Sequence, residues 1–157
     1  MRNNILVVDD EPLLVKMISR CLLAKGYRVT TANNGEEAFS YLAFIRFDLV
    51  LCDIHMADTD GFAVLSTCKA LQPQTKVILC SGDTARETVN RAFACGADGF
   101  LAKPFLLDEL LSQISRYLPL KQPEIQKIMA VADPRDPMSF TQESFFSPDP
   151  LAEQGGP

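Results

Sequence analysis

Leu49-Val50-Leu51-Cys52-Asp53, running on into Ile54-His55-Met56-Ala57-Asp58-Thr59-Asp60-Gly61, is an apolar run that ends in one carboxylate and opens into a polar turn. An apolar run of this length without polar alternation is the pattern of a strand buried on both faces, and parallel α/β sheets place their chemistry at the carboxyl ends of such strands. Three further runs end in complementary polar groups. Ile5-Leu6-Val7-Val8 leads into Asp9-Asp10-Glu11, Val77-Ile78-Leu79-Cys80 into Ser81-Gly82, and Gly99-Phe100-Leu101-Ala102 into Lys103-Pro104. An acid pair, a central acid, a hydroxyl and a lysine together suit a divalent cation and a phosphoryl group.

Between these runs the period changes from strand to helix. Pro12 suits the first turn of a helix that carries Leu14, Val15, Ile18, Cys21 and Leu22 on one face and ends at Gly26. Tyr27 to Ala32 alternates as a short strand with Val29 inward. Asn34-Gly35-Glu36-Glu37 opens a second helix with Ala38, Leu42 and Ile45 aligned. Phe62, Leu65, Cys68 and Leu71 mark a third that stops before Pro73. Thr84 is positioned to cap a fourth, with Ala85, Val89, Ala92 and Phe93, ending at Gly96. Asp108 to Leu118 gives a fifth, with Leu107, Leu110, Leu111, Ile114 and Leu118 as its stripe. Five strand–helix alternations with short connections predict an α/β fold, a doubly wound (βα)5 five-stranded parallel sheet.

The whole chain has 157 residues, 47% of them apolar and 22% charged, which fits one well-cored domain. A formal charge of −5 argues against a nucleic-acid partner. No apolar run has the length of a membrane span, and the first residues do not resemble a signal peptide. The five cysteines form no CxxC pair and read as reduced core thiols of a cytoplasmic protein.

Residues 1–120 are therefore expected to be the folded domain. From 121 to 157 the chain is rich in proline and acidic, periodicity fades, and only 123–132 suggests a short helix. No output domain is read after residue 118, so the expected output is a contact with another protein or onward phosphotransfer.

Phosphoryl transfer needs an oxygen nucleophile in line with the leaving group and compensation for negative charge. A carboxylate meets the first need and yields a labile acyl phosphate, which makes Asp53 the candidate acceptor. Two carboxylates about 5 Å apart at an effective dielectric near 20 repel by roughly 3 kcal/mol. A divalent cation reverses that sign. Mg2+ prefers oxygen ligands, so Asp10, Asp53, a backbone carbonyl and water suit it better than they suit zinc or copper. Lys103 adds a point charge from the last strand.

The acid pair Asp9-Asp10, Asp53, Gly61, Ser81, Phe100 and Lys103-Pro104-Phe105 occur in the order and spacing of a known family. Over residues 4 to 118 the chain resembles a response-regulator receiver domain, the CheY-like phospho-accepting module of two-component signalling. The resemblance implies a phosphoprotein rather than a metabolic enzyme. Asp53 would be the phospho-acceptor, with Lys103 and Ser81 contacting the phosphoryl group. Mg2+ would be held by Asp10, Asp53 and the His55 backbone carbonyl, with Asp9 acting mainly through a coordinated water. The Lys103–Pro104 bond would be cis. Ser81 and Phe100 would form the switch, and the His55 and Asp83 side chains would modulate the lifetime of the phosphorylated state. The implied partners are a sensor histidine kinase or histidine phosphotransfer protein upstream, and a protein target that reads the helix 4–strand 5–helix 5 face downstream.

Each residue alone has a plainer reading. The acids could cap helix 1, Ser81 could be a turn residue, Lys103 a solvated strand end, His55 an exposed loop residue and Phe100 core packing. Acids at buried strand ends without partners are rare, so the joint coincidence weighs against this. Two other functions fit less well. A haloacid-dehalogenase-type phosphatase needs a second Asp two residues after the nucleophile, where this chain has His55. Flavodoxin-like cofactor binding needs a hydroxyl- and glycine-rich phosphate loop after strand 1, where three acids would repel the phosphate. Two positions depart from the family's commonest pattern: Ala57 stands where proline is usual, and Ser81 where threonine is commoner.

Overall fold

The computed structural model describes residues 2–119. Ten elements alternate: β1 (Asn4–Val8), α1 (Pro12–Ala24), β2 (Arg28–Ala32), α2 (Gly35–Phe44), β3 (Leu49–Asp53), α3 (Gly61–Leu71), β4 (Lys76–Ser81), α4 (Arg86–Ala94), β5 (Gly99–Ala102) and α5 (Leu107–Tyr117). All strand pairs are parallel and the order across the sheet is β2-β1-β3-β4-β5. This is the five-stranded doubly wound α/β fold that the alternation predicts. The helix proposed at 123–132 and the rest of 121–157 lie outside the described residues.

Strand alternation divides the core into two layers. Leu6, Val8, Val50, Cys52, Val77 and Leu79 face α2, α3 and α4, where they meet Ala38, Leu42, Leu65, Cys68 and Ala92. Ile5, Val7, Leu49, Leu51, Ile78 and Leu101 face α1 and α5, against Ile18, Leu22, Leu110 and Ile114. Each fully buried aliphatic side chain contributes about 1.5–3 kcal/mol relative to exposure, so the central strands anchor the fold. Helix ends follow the local code where it is strong. Asn34 accepts from the Glu37 backbone N–H at 2.8 Å, and Gly26 and Gly96 take positive φ beyond α1 and α4.

The expected stripes overreach at the helix ends. Ile45, Leu71 and Phe93 at the carboxyl ends of α2, α3 and α4, and Leu107 at the start of α5, are exposed because the terminal turn of a helix, or its cap, projects past the sheet it covers. Thr84 does not cap α4. Arg86 is its first residue, and Asp83 supplies the acceptors at its start, taking a hydrogen bond from Ala85 N–H at 3.0 Å and from the Thr88 hydroxyl at 2.6 Å. Of the cysteines, only Cys52, Cys68 and Cys80 are core thiols; Cys21 is half-buried and Cys95 is exposed at the end of α4. Burial pushes the Cys68 thiol up to about 11. No helix among the described residues is long and apolar enough to cross a membrane.

The order β2-β1-β3 fixes where a site can form. The chain leaves β1 toward one face of the sheet and leaves β3 toward the other, so their carboxyl ends border a crevice. Asp9 follows β1 and Asp53 ends β3.

Candidate functional site

Asp53 is buried at the end of β3, in register with Cys80 of β4. Asp9 is equally buried one residue past β1, and Asp10 next to it is half-buried. Each of the three offers a carboxylate oxygen within 4.8 Å of the others. Lys103 follows β5 and sends its ammonium across the crevice, 2.7 Å from Asp9 Oδ2 and 3.3 Å from Asp53 Oδ2. The Lys103–Pro104 bond is cis, as the resemblance implies. Lys103 is also tied through its backbone N–H, which donates to the Ser81 carbonyl at 2.8 Å.

The electrostatics follow from crowding. Burial raises the Asp53 carboxyl above its ordinary range, and Asp9 adds to this while Lys103 and the His55 backbone N–H oppose it. Burial would lower the Lys103 ammonium, yet its contacts with Asp9 and Asp53 outweigh that and raise it. Three formal negative charges face one positive charge, which leaves a pocket suited to a further cation. The donors are carboxylate oxygens, which match a hard ion such as Mg2+.

Local structure explains the presentation. Asp9 Oδ1 accepts from Glu11 N–H at 3.0 Å, so Asp9 both caps the turn into α1 and pairs with Lys103. Gly61 opens α3 directly against the backbone of Asp53 and Ile54. A Cβ built there lies 2.3 Å from the Asp53 carbonyl oxygen and 2.7 Å from Ile54 Cα. Asp60 closes the turn, its carboxylate accepting from Phe62 N–H at 2.9 Å.

The other expected residues lie on β4, on β5 and in the loops after β3 and β4. Ser81 is fully buried at the end of β4 and its hydroxyl accepts from Asp83 N–H at 2.9 Å. Phe100 on β5 is half-buried and packs against the layer beneath α2, α3 and α4. His55 is exposed in the turn after β3. The Asp83 carboxyl is lowered by the hydrogen bonds it accepts from the Thr88 hydroxyl and the Ala85 N–H, with His55 as the smallest contributor. Asp83 is thus engaged with α4. The structure brings Asp9, Asp10, Asp53 and Lys103 into direct association, with Ser81 joined through the Lys103 backbone.

Two arrangements were not readable along the chain. Asp10 Oδ2 accepts from the Ala57 backbone N–H at 3.0 Å, across 47 residues of sequence. Asp58 accepts from Gly35 N–H at 3.3 Å and from the Thr59 hydroxyl at 3.1 Å, which moors the turn after β3 to the start of α2. The only sequence signal was the concentration of acids at 58 and 60.

Comparison with known proteins bears on the fold that carries this cluster. The family profile for the response regulator receiver domain matches residues 5–115. Regulatory protein AtoC of Escherichia coli is 39% identical over 119 residues, covering 76% of this chain and 26% of AtoC. The chain thus spans about a quarter of the length of that relative. A CheY-like receiver domain protein from Methanospirillum hungatei superposes with a TM-score of 0.72 at 29% identity, covering 75% of this chain and 94% of the other. Response regulator TrrA of Thermotoga maritima, solved in complex with Mg2+ and BeF, gives a TM-score of 0.66 at 32% identity over 73% of this chain and 98% of its own.

Proposed function

We propose a phosphoryl-accepting signalling function for this chain, which belongs to the response regulator receiver family. Phosphorylation-dependent signalling and Mg2+ binding at an acidic pocket are general to that family, whose members are regulators rather than classical enzymes. Within residues 1–120, Asp53 accepts a phosphoryl group from a histidine kinase or histidine phosphotransfer protein, in the manner of a cytoplasmic two-component regulator. The observation that carries this reading is the bridge of Lys103 to both Asp9 and Asp53 beside Asp10.

Asp10 and Asp53, with the His55 carbonyl and Asp9 through water, are the groups that would hold Mg2+. The cation, when bound, neutralises charge on the acidic cluster and on the incoming phosphoryl oxygens. An Asp53 carboxylate oxygen attacks phosphorus, the new P–O bond forms as the bond to the donor's histidine nitrogen breaks, and the electron pair leaves with that nitrogen. Lys103 is held within reach by its two acids and neutralises a phosphoryl oxygen as a point charge. Ser81 donates its hydroxyl to the phosphoryl group in exchange for the bond it now accepts from Asp83 N–H. Phe100 then fills the vacated space, and the α4–β5–α5 face changes its affinity for a downstream protein. His55 and Asp83 tune the lifetime of the acyl phosphate. Whatever AtoC does through the rest of its length belongs to that protein.

Incubation with acetyl phosphate tests the reading. Intact-mass and peptide analysis should find one phosphoryl group, at Asp53, only when Mg2+ is present. Asp53→Asn should abolish it. Labelling elsewhere, or labelling indifferent to chelation of Mg2+, would refute the assignment.

A further inference from the structure

Asp10 differs from its neighbours in how it is held. Asp9 and Asp53 share the Lys103 ammonium, whereas Asp10 makes no ion pair among the described residues. Its one hydrogen bond there is the contact from the Ala57 backbone N–H to Oδ2 at 3.0 Å. Ala57 lies in the turn between β3 and α3 with its side chain exposed. A proline at this position would have no amide hydrogen and could not make this bond. A carboxylate offers about four lone-pair sites, so the bond leaves the other oxygen free for a cation.

We propose that the Ala57 amide is a positioning group that orients Asp10 as a cation ligand, so that Mg2+ affinity in this chain depends on the backbone N–H of residue 57. This rests on the reading of Asp9, Asp10 and Asp53 as the cation site. An aspartate with no partner samples several rotamers, and a cation must select one at an entropic cost. One fixed donor removes most of that freedom. Partners that orient ligating side chains typically change metal affinity by about 10–100-fold when removed. Because the donor is backbone, a change at residue 57 acts only through removal of its hydrogen or displacement of the turn.

The test uses the full chain and Mg2+ alone, followed by amide shifts in NMR, with circular dichroism as the check on folding. Ala57→Gly keeps the N–H and should bind Mg2+ within about twofold of the parent, whereas Ala57→Pro should weaken binding by about tenfold. The parent's Ala57 amide should exchange slowly with solvent, and Asp10→Ala should release it. Equal Mg2+ affinity in the folded proline variant overturns the proposal. If that variant loses its fold, the exchange measurement decides: an unprotected Ala57 amide, or protection that Asp10→Ala leaves unchanged, overturns it. A parent chain that shows no Mg2+ response overturns the cation site and the functional reading together. A normal Mg2+ response with an indifferent proline variant removes only the positioning role.

Discussion

The Lys103 ammonium lies 2.7 Å from Asp9 Oδ2, although β5 and β1 are separated in the sheet by β4 and β3. The lysine therefore reaches over the ends of two strands, with Asp53 beneath its path at 3.3 Å. One cation serves two buried acids. Lys103→Met should destabilise the fold by about 3 kcal/mol, the usual size when one member of a buried pair is removed. Mg2+ should restore a large part of the loss, because it supplies positive charge to the same acids. Thermal unfolding with a chelator and with Mg2+ measures both effects, and a variant insensitive to Mg2+ would count against the shared pocket.

Asp53→Asn should stabilise the metal-free protein at neutral pH. The Asp53 carboxyl is raised in the fold, first by burial and then by Asp9. A raised carboxyl favours folding while it is protonated, and that contribution is lost as pH rises through its folded-state value. Asparagine never ionises, so the difference between variant and parent should vanish at acid pH and grow toward neutrality. Denaturant unfolding across that range, with a chelator present, gives the curve.

Asp98 should show the opposite pH dependence. It accepts from Lys69 Nζ at 2.8 Å and from Val77 N–H at 2.9 Å, and lies 3.7 Å from Lys76 Nζ. Burial works to raise its carboxyl, but these partners together lower it. A lowered carboxyl contributes stability above its unfolded-state value, near 3.9, and loses it as pH falls through the folded-state value. Asp98→Asn should cost about 2 kcal/mol at neutral pH, in line with charge-assisted hydrogen bonds. The cost should shrink on acidification in urea titrations.

Gly61→Ala should destabilise the protein by about 1–3 kcal/mol, the range for overpacking. The added methyl would meet backbone, the Asp53 carbonyl at 2.3 Å, and no flexible side chain can yield. The displacement falls on the peptide of Asp53, the proposed acceptor, so phosphorylation by acetyl phosphate should slow as well. An alanine variant of unchanged stability and rate would refute the close approach.

Much of the site was legible along the chain because a buried parallel strand has a signature that its terminal polar residue interrupts. Asp9, Asp10, Asp53, Ser81 and Lys103 were each readable as such an interruption. The acceptor for the start of α4 was not, since Thr84 and Asp83 are both competent and only the folded turn brings the Ala85 N–H and the Thr88 hydroxyl to Asp83. Gln72 and Thr75 were also missed. Buried among Leu42, Ile45 and Phe47, the Gln72 amide donates to the Leu42 carbonyl at 2.9 Å and accepts from Phe47 N–H at 2.9 Å. A glutamine beside Pro73 gives no sign that three helix and loop ends will converge on it.

Sequence alone determined the alternation of elements, the two-sided apolar strands and the kinds of group at their ends, because periodicity and composition are local properties of the chain. Tertiary structure alone decided that β1 and β3 would be neighbours with diverging exits, that one lysine would span two acids, and that a backbone N–H at residue 57 would hold Asp10. Those are distances between residues far apart along the chain, and they are set by packing both faces of a twisted sheet at once.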